Sequence, residues 1–169
     1  HDSLAAGRDG MLFTIVSVVV VMFAGVLLGR VLRVGQKSAY LISAGTAICG
    51  GSAIAAVAPV IDADENETSL SLATIFVLNA LALFLFPAVG RWIGLSQTDF
   101  GTWAAIAIHD TSSVVGAGAA YGQEALQVAT TVKLTRALWI IPLSLFSMVV
   151  FRQKGVKIRI PWFIGWFIA

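Results

Sequence analysis

The sequence predicts an all-α, polytopic helical membrane protein with five complete spans and the start of a sixth. Three observations predict it. Hydrophobic residues make up 58% and charged residues 12% of the 169, where a water-soluble domain carries about a quarter charged residues. The apolar residues fall in blocks close to the roughly 20 residues that a helix needs to cross a hydrocarbon core about 30 Å thick. The charges gather between those blocks, basic and acidic in turn.

Taken in order, the first span covers about 10–29, uncharged and dominated by Val, Leu, Ile and Phe. The second, 38–61, is also uncharged but rich in Gly, Ala and Ser. The third, 68–90, carries one amide, Asn79, near its middle. The fourth, 100–122, has membrane length but holds His109 and Asp110 at its centre. The fifth, 126–151, carries Lys133 and Arg136 in its first half, and Pro142 further on is expected to kink it. The stretch 160–169 (IPWFIGWFIA) begins a sixth, truncated span. The second and fourth spans are expected to be broken helices. All belong to a single transmembrane domain over 1–169, read as an internal fragment of a longer chain because it opens on His1 and stops inside an apolar run.

The loops order these spans. Arg30, Arg33 and Lys37 follow the first, and Asp62, Asp64, Glu65 and Glu67 follow the second. Arg91 and Asp99 cancel after the third, Glu124 follows the fourth, and Arg152, Lys154, Lys157 and Arg159 follow the fifth. Basic residues anchor cytoplasmic loops, so 30–37, 91–99 and 152–159 are placed on the cytoplasmic side. The net charge of +2 and pI near 9.0 thus reflect membrane anchors, and no nucleic-acid partner is expected. Cys49 has no disulfide or metal-ligating mate.

Chemistry is confined to mid-span interruptions. Gly50, Gly51 and Ser52 weaken a helix, each glycine by about 1 kcal/mol relative to Ala, and unwound backbone is tolerated at that depth where protein or water covers it. Such a break aims half-helix N-termini at an anion; close helix packing through small residues is the alternative. His109 and Asp110 sit where ionisable groups mark ion pathways, which makes them candidates for ion or proton coupling, with Thr111 and Ser112 beside them for substrate. A structural network joining two helices is the alternative. Lys133 and Arg136 share a helix face and either balance an anionic substrate or pair with Asp110. One echo links two spans: 47–54 and 107–114 share the pattern A-I-x-x-x-S-x-(I/V). Because the predicted topology runs both spans in one direction, they are not expected to be mates in an inverted repeat. No nucleophile constellation, phosphate loop or cofactor fingerprint is present, so neither an enzyme nor a cofactor or metal is expected.

Gly45–Ile61 (GTAICGGSAIAAVAPVI) and Ala107–Gly122 (AIHDTSSVVGAGAAYG), followed by Val132–Arg136 (VKLTR), resemble the hallmark stretches of the so-called sulfate exporter family of bacterial inner-membrane proteins, a conserved hypothetical group related to bile-acid, arsenite and riboflavin-type transporters. Two positions depart from its pattern: Gly51, where Ala is common, and Ser113, near which the family has Gln. The resemblance implies about ten helices, crossed broken helices and alternating access. The expected function is therefore a secondary transporter of a small anion, sulfate or a sulfur-containing organic anion, embedded in the lipid bilayer and able to form homo-oligomers. A passive anion channel and a non-transporting membrane scaffold are the alternatives.

Overall fold

The structure is a computed structural model that describes residues 2–151, with side chains from Thr14 onward. It is all-α, with helices α1 (Asp2–Val31), α2 (Gln36–Ala47), α3 (Gly51–Val57), α4 (Glu65–Trp92), α5 (Gln97–Ala107), α6 (Thr111–Tyr121), α7 (Gln123–Ala137) and α8 (Ile140–Val150).

The expected five complete spans and the start of a sixth are corrected. Among the described residues, three helices are long and apolar enough to cross a membrane: Thr14–Val31, Glu65–Trp92 and the run Gln123–Val150. The stretch 160–169 lies outside the described residues. The segments 38–61 and 100–122 each fold back on themselves as a hairpin of two short helices. In the first hairpin (α2 and α3), Gly45 packs against the side chain of Ile54, and Lys37 Nζ at the start donates to the Asp62 carbonyl at the end. A straight helix would set residues 37 and 62 more than 35 Å apart at about 1.5 Å per residue. In the second hairpin (α5 and α6), Tyr121 Oη donates to Leu95 O at 2.6 Å, and Gln97 Oε1 accepts from Glu124 N at 3.0 Å. Both ends of each hairpin are therefore at one side of the bundle.

Backbone chemistry explains the reversals. α2 stops at Ile48, with φ −117° and ψ −88°, and Gly50 turns the chain into α3 with φ +71°, a backbone angle that residues with a Cβ rarely adopt. α5 stops where Ile108 turns extended, with φ −85° and ψ 130°. Residues that restart the helices are caps. Asp110 accepts from Ser112 N and Ser113 N at 3.1 and 3.4 Å, starting α6. Asp64 and Glu67 form a reciprocal capping box that starts α4, with bonds of 2.7 and 2.9 Å. α4 and α6 are thus started by local side-chain caps, whereas α3 starts at Gly50 without one.

The hairpins enter from opposite ends. α1 ends, and α4 begins, beside the base of the first hairpin; α4 then runs the length of the bundle to the base of the second. α7 starts at that second base, and α8 returns to the first, where Tyr40 Oη lies 2.8 Å from Ser147 Oγ. The loop 91–99 is consequently at the end opposite 30–37, which corrects the assignment of both to the cytoplasmic side; 152–159 lies outside the described residues. Counting loop charge assumed that every apolar segment of span length crosses, and two of them do not.

The same geometry overturns the reading that 47–54 and 107–114 cannot be inverted mates. α1 with the first hairpin and α4 with the second form two units of opposite orientation. Their connecting turns match bond for bond, sixty-one positions apart. Arg33 N donates to Arg30 O and Gly94 N to Arg91 O, both at 3.2 Å; Val34 N donates to Gly29 O at 2.8 Å and Leu95 N to Gly90 O at 3.0 Å. The pivots Arg33 and Gly94 have φ +58° and +71°. Gly29 abuts Ala39 as Gly90 abuts Phe100, contacts that only the absence of a side chain allows.

α7 and α8 lie along both units. The chain bends at Leu138–Trp139 because Pro142, in the first turn of α8, has no N–H to give to Leu138. Two cores result, one around each hairpin. Leu41, Ile48, Ile54, Val57 and Ile75 fill the first, and Phe100, Ile108, Val114 and Ala129 the second. Large apolar side chains on α1, α4 and α8, such as Phe23, Phe84 and Val149, face outward, as a surface in contact with lipid requires.

Candidate functional site

The two hairpin tips meet halfway along α4. A Cβ on Gly50 would lie 3.2 Å from both Cα and Cβ of Asp110, so the first tip touches the second through a glycine that leaves it room. The tips are closed: Ala47 and Ile48 are fully buried, and Cys49 and Ile108 nearly so. Sequence positions 50 and 110, on separate predicted spans, are thus brought into contact.

Each tip exposes main-chain groups that a continuous helix would have satisfied internally, and side chains from the crossing helices meet them. Asn79 Oδ1 on α4 accepts from His109 N at 3.1 Å and Asp110 N at 3.2 Å. Lys133 Nζ on α7 donates to Ile108 O at 2.8 Å and Ala105 O at 3.4 Å. One turn on, Arg136 Nη2 donates to Ala47 O at 2.7 Å. Ala47 is the last residue of α2 and Ile108 follows the last of α5, so the two cations meet the C-terminal ends of both half-helices. A cation suits that end, which carries about half a negative charge.

The predicted residues divide as follows. Gly50, His109, Asp110, Lys133 and Arg136 converge on the tips. Gly51 faces α4, with Phe76 and Leu72 within about 3.4 Å of where its Cβ would be, so its immediate role is close packing. Ser52 and Ser112 are exposed and Thr111 is half-buried; the Ser112 hydroxyl donates to the Asp110 carboxylate. The hydrogen bonds of Lys133 and Arg136 run to carbonyls rather than to Asp110. Asn79 escaped the sequence reading as a site residue. Its signal was there: a lone amide in the middle of an otherwise apolar span.

Basic side chains outnumber acidic ones at the tips, Lys133 and Arg136 against Asp110. The two half-helix C-termini and the two N-termini contribute opposite partial charges of about half a unit each. Buried polar atoms are also left without partners among the described residues: Arg136 Nε, Asn79 Nδ2 and His109 Nδ1. Such groups cost about 1–3 kcal/mol each when unmet, and all three can bond a small polar guest, the first two as donors.

Comparison with known proteins gives one family. The profile of conserved hypothetical protein 698 matches residues 1–169. A UPF0324 membrane protein of Bacteroides thetaiotaomicron is 60% identical over 169 residues, covering 99% of this chain and 51% of that protein. One from Porphyromonas gingivalis is 61% identical over 170 residues, 99% of this chain and 52% of that protein. One from Vibrio parahaemolyticus is 55% identical over 174 residues, 100% of this chain and 56% of that protein. The chain thus spans about half the length of the curated relatives it matches. No solved structure matches it.

Proposed function

The chain belongs to the conserved hypothetical protein 698 family of bacterial UPF0324 membrane proteins, and from that premise we propose that it supplies the substrate-binding part of a secondary carrier for a small anion. One observation carries this reading: two hairpin tips, entering from opposite ends, meet at the middle of a helical bundle beside two basic side chains and one acidic one. Half-helices that meet at mid-membrane are a recurrent substrate site of secondary transporters, and alternating access follows when each hairpin opens toward its own side. An anion would pair with the basic side chains and satisfy Arg136 Nε and Asn79 Nδ2. Gly50, Gly51, Ser52, Thr111, Ser112, Lys133 and Arg136 are the proposed substrate residues, and His109 and Asp110 the proposed coupling pair. The resemblance to the sulfate exporter group directs the choice of ligand to sulfate and sulfur-containing organic anions, and helical spans suit the bacterial inner membrane.

Two measurements on the full-length protein test this. A transported anion binds the folded state and raises its unfolding midpoint, so sulfate, sulfite and taurine are screened first. Flux of the best ligand is then measured in proteoliposomes, where saturation and counterflow are expected and unitary currents would refute a carrier. Asp110→Asn separates coupling from folding. Asn caps a helix about as well as Asp, so α6 keeps its start while the charge is removed. Driven flux is expected to be lost with the fold intact; undiminished driven flux rules Asp110 out of coupling.

A further inference from the structure

A broken helix leaves its last carbonyls without donors, up to four at its C-terminal end. Carriers built on broken helices use such ends and the adjoining unwound carbonyls to hold the coupling sodium or proton. In this chain the equivalent ends are already occupied. Arg136 Nη2 lies 2.7 Å from Ala47 O, and Lys133 Nζ lies 2.8 Å from Ile108 O and 3.4 Å from Ala105 O. These are the C-terminal ends of the broken helices α2 and α5, and α7 reaches both from adjacent turns. Lys133 is fully buried and Arg136 is 2% exposed, so neither head group is a surface charge resting on the nearest oxygen.

We infer that Lys133 and Arg136 are tethered cations occupying the carbonyl sites at the two helix breaks at which a coupling sodium would bind, and that the carrier works without sodium. The inference rests on the carrier reading above, but its physical content is a statement about cation binding. An ammonium held covalently at the carbonyl cluster competes with a free sodium ion at very high effective concentration. The carbonyls of Ala47, Ala105 and Ile108 are therefore already held. Removing the Lys133 ammonium uncovers a site: the carbonyls of Ala105 and Ile108 remain, the negative end of α5 remains, and a small monovalent cation can take the place.

The test uses purified full-length protein without any substrate anion under study. Thermal unfolding is followed in sodium, lithium and choline chloride at equal ionic strength, and radiolabelled sodium binding by equilibrium dialysis. The wild type is expected to unfold at the same midpoint in all three salts and to bind no sodium saturably. Lys133→Ala is expected to unfold earlier in choline and to recover in sodium or lithium with a saturable dose response. A folded Lys133→Ala protein indifferent to sodium overturns the assignment of a cation site. If that variant does not fold in any salt, the wild-type dialysis decides: saturable sodium binding overturns the inference, and its absence upholds it. These readouts are separate from flux. Failure of every tested anion to move, with a sodium-indifferent wild type, defeats the anion reading and leaves this one standing.

Discussion

Removing the Asn79 side chain should loosen the second hairpin at its tip. Asn79 is 3% exposed and sits near the middle of α4, where its Oδ1 accepts both His109 N at 3.1 Å and Asp110 N at 3.2 Å. In Asn79→Leu the space stays filled, but both N–H groups lose their acceptor. Hydrogen bonds inside membrane proteins are worth about 0.6 kcal/mol on average and up to about 1.7 kcal/mol. Two together come to about 1–3.5 kcal/mol. Asn79→Ala adds a cavity and should cost more. At about 1.4 kcal/mol per factor of ten, the amides of His109 and Asp110 should exchange with deuterium about five- to several-hundredfold faster in Asn79→Leu. The assay pairs hydrogen exchange at those two amides with equilibrium unfolding in mixed micelles. An Asn79→Leu protein with wild-type stability and unchanged exchange at 109 and 110 would refute the claim that this amide holds the tip.

The remaining expectations follow from the turns and caps. Gly90→Ala places a Cβ 2.6 Å from Phe100 Cδ2 and 3.0 Å from Tyr121 Cε2, whose rings stack at 3.8 Å; overpacking of this kind costs about 1–3 kcal/mol, read as a lowered unfolding midpoint. Gly94→Ala meets open space and pays only for its φ of +71°, about 1–2 kcal/mol; a Gly90→Ala protein as stable as the wild type would contradict the close approach at Gly90. Asp64→Ala removes the N-cap of α4 and should cost about 1 kcal/mol, measured by unfolding. Glu67→Gln retains the reciprocal bond and should stay near wild type.

Sequence alone determined what depends on composition and local chemistry. Hydropathy and block length established a helical membrane protein, since so few charges cannot keep a folded surface in water. The glycines at 50–51 and the polar run from His109 to Ser113 marked the helix breaks, because backbone that must unwind needs residues which tolerate unusual dihedrals or cap a restart. The two mid-span cations, Lys133 and Arg136, were legible as buried groups in need of partners. Their partners were not: Ala47, Ala105 and Ile108 offer main-chain carbonyls, which carry no side-chain signature and are free only because two helices stop there.

Only the tertiary structure decided whether the interrupted segments cross or return. A stretch of membrane length satisfies hydropathy equally well as one span or as two short antiparallel helices, since both bury the same apolar residues. The choice rests on contacts between residues far apart in the chain, such as Lys37 with Asp62 and Gln97 with Glu124. That choice reverses the relation between the two breaks. The repeat in the sequence was visible, but its inversion was not, because orientation belongs to the path of the chain and not to any residue along it.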